Sequence, residues 1–209
     1  MRRLRIAFAL ATLFLVSSGS AQQTSNTAVR TDANGAAVKA GALSQGPTQA
    51  CPIVSENFDE LTPQLDVTSV GPFHAIDGTN VDIVGDGIYG ELCQPPTSGY
   101  CIDLDGTGGD SQGVLQTVNG IMLQPGTNYY LSFDLIGSQR FNTTTSTTVD
   151  FGPYHQTFVL ASNDLSSGIV SNALVTVTTE TMAFLTFTSN TRGNMGALLD
   201  NVSISEQTQ

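Results

Sequence analysis

Gly196–Ser205 reads GALLDNVSIS. Apolar and polar residues alternate through it with the period of a β-strand. On a regular strand Leu198, Asp200, Val202 and Ile204 share one face. A carboxylate among three aliphatic side chains is costly out of water unless a cation or several donors meet it. From Cys51 to Gln209 the basic side chains are Arg140 and Arg192 alone. Asp200 therefore calls for one of three partners: Arg192, backbone donors or a bound metal ion.

The same period recurs upstream. Tyr129, Leu131, Phe133 and Leu135 alternate with Tyr130, Ser132 and Asp134, just after the turn sequence at Pro125–Asn128. Strands are expected over Asn80–Val84, Tyr100–Leu104, Gly113–Val118, Asn128–Ile136, Thr147–Phe151, Gln156–Ala161, Ala173–Thr178, Met182–Thr188 and Ala197–Ser205. Gly, Pro, Asn and Asp punctuate them, and no long stretch has a helical period. Many short strands separated by turn signals specify an all-β sandwich or barrel. About 155 residues suffice for one such domain with its own core.

Arg2, Arg3 and Arg5 precede an apolar run, Ile6–Val16, that is too short to span a bilayer. Small residues fill Ser17–Ala21. This is the pattern of a signal peptide over 1–21, cleaved after Ala21. Residues 22–50 are rich in Gln, Thr, Ser, Ala and Gly and read as a disordered linker. The β-domain is expected over 51–206. The expected product is secreted, extracellular or periplasmic, with no membrane insertion once the signal is removed. It carries four basic against 18 acidic side chains, a formal charge of −14. Such a field repels nucleic acid and anionic membranes.

Three cysteines are present. Export permits disulfides. Cys93 and Cys101 flank the turn-rich QPPTSGY and are the first candidates, with Cys51 left free or paired to one of them instead. The absence of a CxxC pair and a count of two histidines argue against zinc.

Taken in order, NVDIVG (Asn80–Gly85), CIDLDGTGG (Cys101–Gly109), GVLQTV, LQPGTNYYLSFDLIGS (Leu123–Ser138), FLTFTSN (Phe184–Asn190) and GALLDNVSIS resemble a known group. They look like the galactose-binding-like jelly-roll domains of exported bacterial choice-of-anchor proteins. They are also similar to a family of plant cell-wall proteins of unknown function. The resemblance covers roughly Cys51 to Ser205. It implies an antiparallel two-sheet jelly-roll sandwich. Its carbohydrate-binding relatives often hold a structural calcium, on an acid near the N-terminus and on the Asp of the last strand. Those positions match Asp59, within ENFDE, and Asp200.

The expected function is therefore non-catalytic binding of an extracellular glycan or cell-wall polysaccharide, with calcium as a structural ion. The alternative is a structural or adhesive matrix protein without a sugar pocket. Sugar sites combine flat aromatic rings with polar groups that fix hydroxyls. Tyr89, Tyr100, Tyr130 and Tyr154 are the candidate rings, with Asn142 and His155 as polar partners. Two further motifs have bland readings. DLDGTGGD (Asp103–Asp110) spaces Asp103, Asp105 and Asp110 like a calcium loop but lacks the bidentate Glu of an EF-hand and reads better as a Gly/Asp turn. GDSQG (Gly109–Gly113) spells a hydrolase nucleophile motif around Ser111, with His74 available, but strand follows where a helix is required.

Overall fold

The computed structural model describes residues 51–85, 87–90, 92–108 and 112–208. The expected signal peptide over 1–21 and the expected linker over 22–50 lie outside these residues, as do Asp110 and Ser111. Fifteen strands run in chain order: β1 (Cys51–Glu56), β2 (Gln64–Val67), β3 (Ser69–Val70), β4 (Phe73–Ala75), β5 (Val81–Val84), β6 (Cys101–Asp103), β7 (Val114–Thr117), β8 (Ile121–Leu123), β9 (Thr127–Ile136), β10 (Thr145–Phe151), β11 (Tyr154–Leu160), β12 (Gly168–Val175), β13 (Thr181–Ala183), β14 (Thr186–Ser189) and β15 (Leu198–Thr208).

They form two antiparallel sheets. The first has the order β12-β9-β15-β6-β5-β2, with β1 joined to β15. The second has the order β11-β10-β14-β7-β4-β3, and β8 pairs with β13 in a small separate ladder. The chain crosses repeatedly between the sheets, which makes an all-β jelly-roll sandwich. The inward residues of β9 (Tyr129, Leu131, Phe133, Leu135) meet those of β10 and β14 (Val149, Phe151, Phe187) in one apolar core. At its centre Phe133 stands edge-on to Phe187 at 5.3 Å and to Phe158 at 5.7 Å, the arrangement that aromatic quadrupoles favour.

A second, smaller apolar cluster lies on the opposite face of the first sheet. Val84, Cys101, Ile136 and Leu198 are covered there by Leu92, Ile88 and Cys93. These last three belong to the β5–β6 connection, and a disulfide between Cys93 and Cys101 staples it at the start of β6. The staple keeps the connection over an apolar surface that water would otherwise wet.

The strand carrying Asp200 departs from the simple alternation. The register with β9 shifts between Asp200 and Ser203, and Asn201 takes a left-handed φ of 51°. This is a β-bulge: one extra residue flips every later side chain to the other face. Leu199, Val202 and Ile204 point into the main core, whereas Leu198 lies in the smaller cluster and Asp200 pairs with Asp134 on that outer side. Asp200 thus does not share a face with Val202 and Ile204.

Other differences are local. The expected strand Met182–Thr188 is two strands in different ladders, β13 and β14, with Leu185 buried at the crossing. β12 begins earlier than expected, at Gly168, and is itself bulged between Val170 and Ala173. β1 to β4 and β8 are too short and irregular to show a period.

Candidate functional site

Pairing of β1 with β15 places Glu56 opposite Val202. The residues just beyond β1 therefore run alongside the bulge. Asp59 and Asp200, both singled out from the sequence, come to the same loop in this way. Asp59 Oδ1 accepts the Tyr100 N–H at 3.0 Å and its Oδ2 accepts Asn57 Nδ2 at 2.9 Å. Asp200 Oδ2 accepts the Ser98 N–H at 3.1 Å and its Oδ1 accepts the Asn201 N–H at 2.7 Å. Between the two amides lies Gly99, at φ +60°. A Cβ there would fall 1.8 Å from Asp59 Oδ1, so only glycine lets the loop approach this closely.

Asp200 is 1% exposed. Burial pushes its carboxyl up to about 7; the Ser98 and Asn201 amides pull it down, and the nearby Asp59 and Asp134 carboxylates push it further up. Asn201 Nδ2 donates to Asp134 Oδ2 at 2.8 Å. Among the described residues no Arg or Lys forms an ion pair with Asp200. Its partners are backbone donors. Each oxygen of Asp59 and Asp200 keeps a second lone pair, and oxygen donors of this kind suit a hard divalent cation. No group of three or more His, Cys, Asp or Glu side chains arranged for a metal occurs among the described residues.

The candidate rings separate. Tyr100 follows this same loop and lies against Gly85. Tyr89 is half-exposed, and the Arg140 guanidinium sits over its ring at 5.3 Å. Arg140 continues to Asp103, with Nη2 against Oδ2. Asp103 Oδ1 accepts the Gly196 N–H at 2.8 Å and the Asp105 N–H at 3.1 Å. Burial pushes the Asp103 carboxyl up to about 7 even though Arg140 pulls it down. Asn142 is exposed in the same loop as Arg140. Tyr154 lies apart, on β11, where its hydroxyl donates to Gln156 Oε1 at 2.9 Å and its ring packs on the main core. Tyr130 donates to Gln207 on the outer face of the first sheet, and His155 pairs with Asp150 at 2.6 Å on the second.

Sequence reasoning missed Phe141. It is 84% exposed and holds a left-handed φ of 48°, a conformation that bulky side chains avoid. A lone phenylalanine within the polar stretch Gly137–Thr144 was its only signal. Tyr89, Arg140, Phe141 and Asn142 together present two aromatic rings, a guanidinium and an amide on adjoining loops. Arg140 ties these loops to the buried Asp103.

Of the other motifs, the turn reading of DLDGTGGD fits its Thr107–Gly108 part. Asp82 Oδ1 accepts the Thr107 N–H at 3.1 Å, Asp82 Oδ2 accepts the Thr107 hydroxyl at 2.6 Å, and Gly108 N–H bonds to Asp66 Oδ1. His74 is on β4, paired with Gln116 of β7, and Ser111 lies outside the described residues.

No family model matches the chain, and no curated protein matches it. Solved structures of similar outline exist. One holds the CBM22-1–GH10 modules of a Clostridium thermocellum endo-1,4-β-D-xylanase complexed with xylohexaose. It is 14% identical over 76% of this chain and 29% of its own, with a TM-score of 0.43. Another is an exo-β-1,3-galactanase from Phanerochaete chrysosporium with β-1,3-galactotriose, 15% identical over 72% of this chain and 29% of its own, with a TM-score of 0.35. This chain spans less than a third of either.

Proposed function

We propose that the domain is an exported, non-catalytic module that binds a neutral extracellular glycan or cell-wall polysaccharide, as its resemblance to choice-of-anchor domains implies. The observation that carries this reading is the pair of exposed rings, Tyr89 and Phe141, held beside Arg140 and Asn142. Flat apolar area with adjacent hydrogen-bonding groups is the chemistry that pyranose rings select. The chain at −11, or −14 once residues 1–21 with their three arginines are removed, disfavours anionic polymers. Calcium, on this reading, is held by Asp59 and Asp200 and locks the loop between them.

A polysaccharide screen by affinity electrophoresis, with calcium and with chelator, tests the proposal. Retardation by a neutral glycan, without release of reducing sugar, supports it. Release of reducing sugar would make the protein an enzyme. No retardation under either condition would favour a structural or adhesive role. One observation supports that second reading: Met122 and Met182 face each other across β8 and β13, and with Phe184 they are exposed around Gly120.

A further inference from the structure

Asp105 is fully buried, and the two oxygens of its carboxylate are treated differently. Oδ1 accepts the Gly113 N–H at 3.3 Å, whereas Oδ2 has no hydrogen-bond partner. Arg140 attracts the Asp105 carboxylate, but its ion pair is with Asp103 and its guanidinium stands over the Tyr89 ring. A second buried acceptor, Asn80 Oδ1, is also without a partner. It is aimed at the same turn: a Cβ on Gly106 would fall 2.0 Å from it. The Asn80 carbonyl accepts the Gly106 N–H, and a Cβ on Gly113 would fall 1.7 Å from the Leu104 carbonyl oxygen. Glycine at both positions thus lets the turn close in on a carboxylate, a side-chain amide oxygen and main-chain carbonyls.

Orphaned buried acceptors are costly, and a carboxylate more than an amide. Among the described residues no donor makes a hydrogen bond to Asp105 Oδ2 or to Asn80 Oδ1. A hard cation satisfies such a set, because it takes six to eight oxygens of mixed charge and completes its shell with water. We infer that the turn at Asp105–Gly106 is a calcium site, formed by Asp105 Oδ2 and Asn80 Oδ1 and separate from the Asp59–Asp200 pair. Burial raises the Asp105 carboxyl above its ordinary range, against the pull of Ser189, Gly113 and Arg140. With a single carboxylate the affinity belongs to the weak, extracellular range, about 10⁻⁴ to 10⁻³ M.

Calcium titration of the full chain by calorimetry tests the site, using Asp200→Ala to remove the other pair. The Asp200→Ala chain is expected to keep calcium binding, and adding Asp105→Asn is expected to weaken it at least tenfold. Asn80→Ala, which leaves the carboxylate in place, is expected to weaken it several-fold and covers the case in which Asp105→Asn does not fold. In chelator Asp105→Asn should melt no lower than the parent chain, because it removes an uncompensated charge. Calcium binding that is unchanged by both substitutions, or lost with Asp200→Ala alone, would overturn the inference and leave a niche that holds only water.

Discussion

Asp59 and Asp200 grip one loop from two sides: Asp59 accepts the Tyr100 N–H and Asp200 the Ser98 N–H, at 3.0 and 3.1 Å. The two acids come from opposite ends of the domain sequence, and the β1–β15 ladder is what joins them. Asp200→Ala would leave two part-buried amides, those of Ser98 and Asn201, without their acceptor. The expected loss of stability is about 1–3 kcal/mol. The variant should also lose the share of any calcium-dependent rise in Tm that the Asp59–Asp200 pair provides. Thermal melts with calcium and with chelator measure both effects, and an unchanged Tm and calcium response would remove the proposed ion from this pair.

Asp103 and Asp200 are both raised by burial to about 7, from an ordinary value of 3.8. A carboxyl whose folded pKa exceeds its unfolded one binds protons more readily in the folded chain. Its stabilising contribution is present at low pH and is lost as pH rises from about 4 to about 7. Asp164 is shifted down by the Ser167 and Ser166 amides, so its contribution is lost only in stronger acid. In chelator, stability is therefore expected to fall as pH rises from about 4 to about 7, by an amount on the order of kcal/mol, and Tm is expected to fall with it. Saturating calcium should blunt the fall, since it binds the ionised acids. A Tm that is flat or rising across this range in chelator would contradict the burial argument.

The Cys93–Cys101 bridge closes a short loop, with a sequence separation of 8. Constraint of the unfolded chain by a loop of this size contributes roughly 2–3 kcal/mol. Because the loop also covers Leu198 and Asp200, replacing both cysteines with serine should cost at least that amount in urea unfolding. It should weaken calcium binding by the Asp59–Asp200 pair as well. A loss below about 1 kcal/mol would mean that the loop holds its place without the bridge.

Phe141 sets stability against binding. Its left-handed backbone costs about 1–2 kcal/mol in a residue with a bulky side chain. Phe141→Gly is expected to raise stability by up to that amount, since the ring is exposed and little packing is lost. Glycan binding should weaken at least tenfold. If binding survives intact, the proposed platform of Tyr89 and Phe141 is not where the glycan sits.

How much of this was legible in the sequence depended on whether an element obeys a period. β9 declares itself, because Tyr129 to Leu135 alternate without interruption, and the all-β class follows from several such runs. The face of Asp200 was misread because alternation counts residues and a bulge inserts one. The Asp–Asn pair inside GALLDNVSIS, with Asn tolerant of positive φ, was the only local hint. The meeting of Asp59 with Asp200 is a long-range pairing that no window of sequence contains, and the family resemblance alone pointed to it. Phe141 was invisible because loop aromatics have no period, and its exposure is a property of the assembled loops.

The bulge itself can be tested at Asn201. Valine is β-branched and strongly disfavoured at a φ of 51°, whereas glycine accepts it freely. Asn201→Gly removes only the hydrogen bond to Asp134, which is exposed, and should cost about 1 kcal/mol or less. Asn201→Val should cost about 2 kcal/mol or more, because it must either strain the bulge or abolish it. Abolishing it would turn Asp200 toward the core in company with Val202 and Ile204, the arrangement that plain alternation describes. Urea unfolding of the two variants decides between these. A valine variant as stable as the glycine one would mean that the strand tolerates the regular register, and that the bulge is not what holds Asp200 against Ser98.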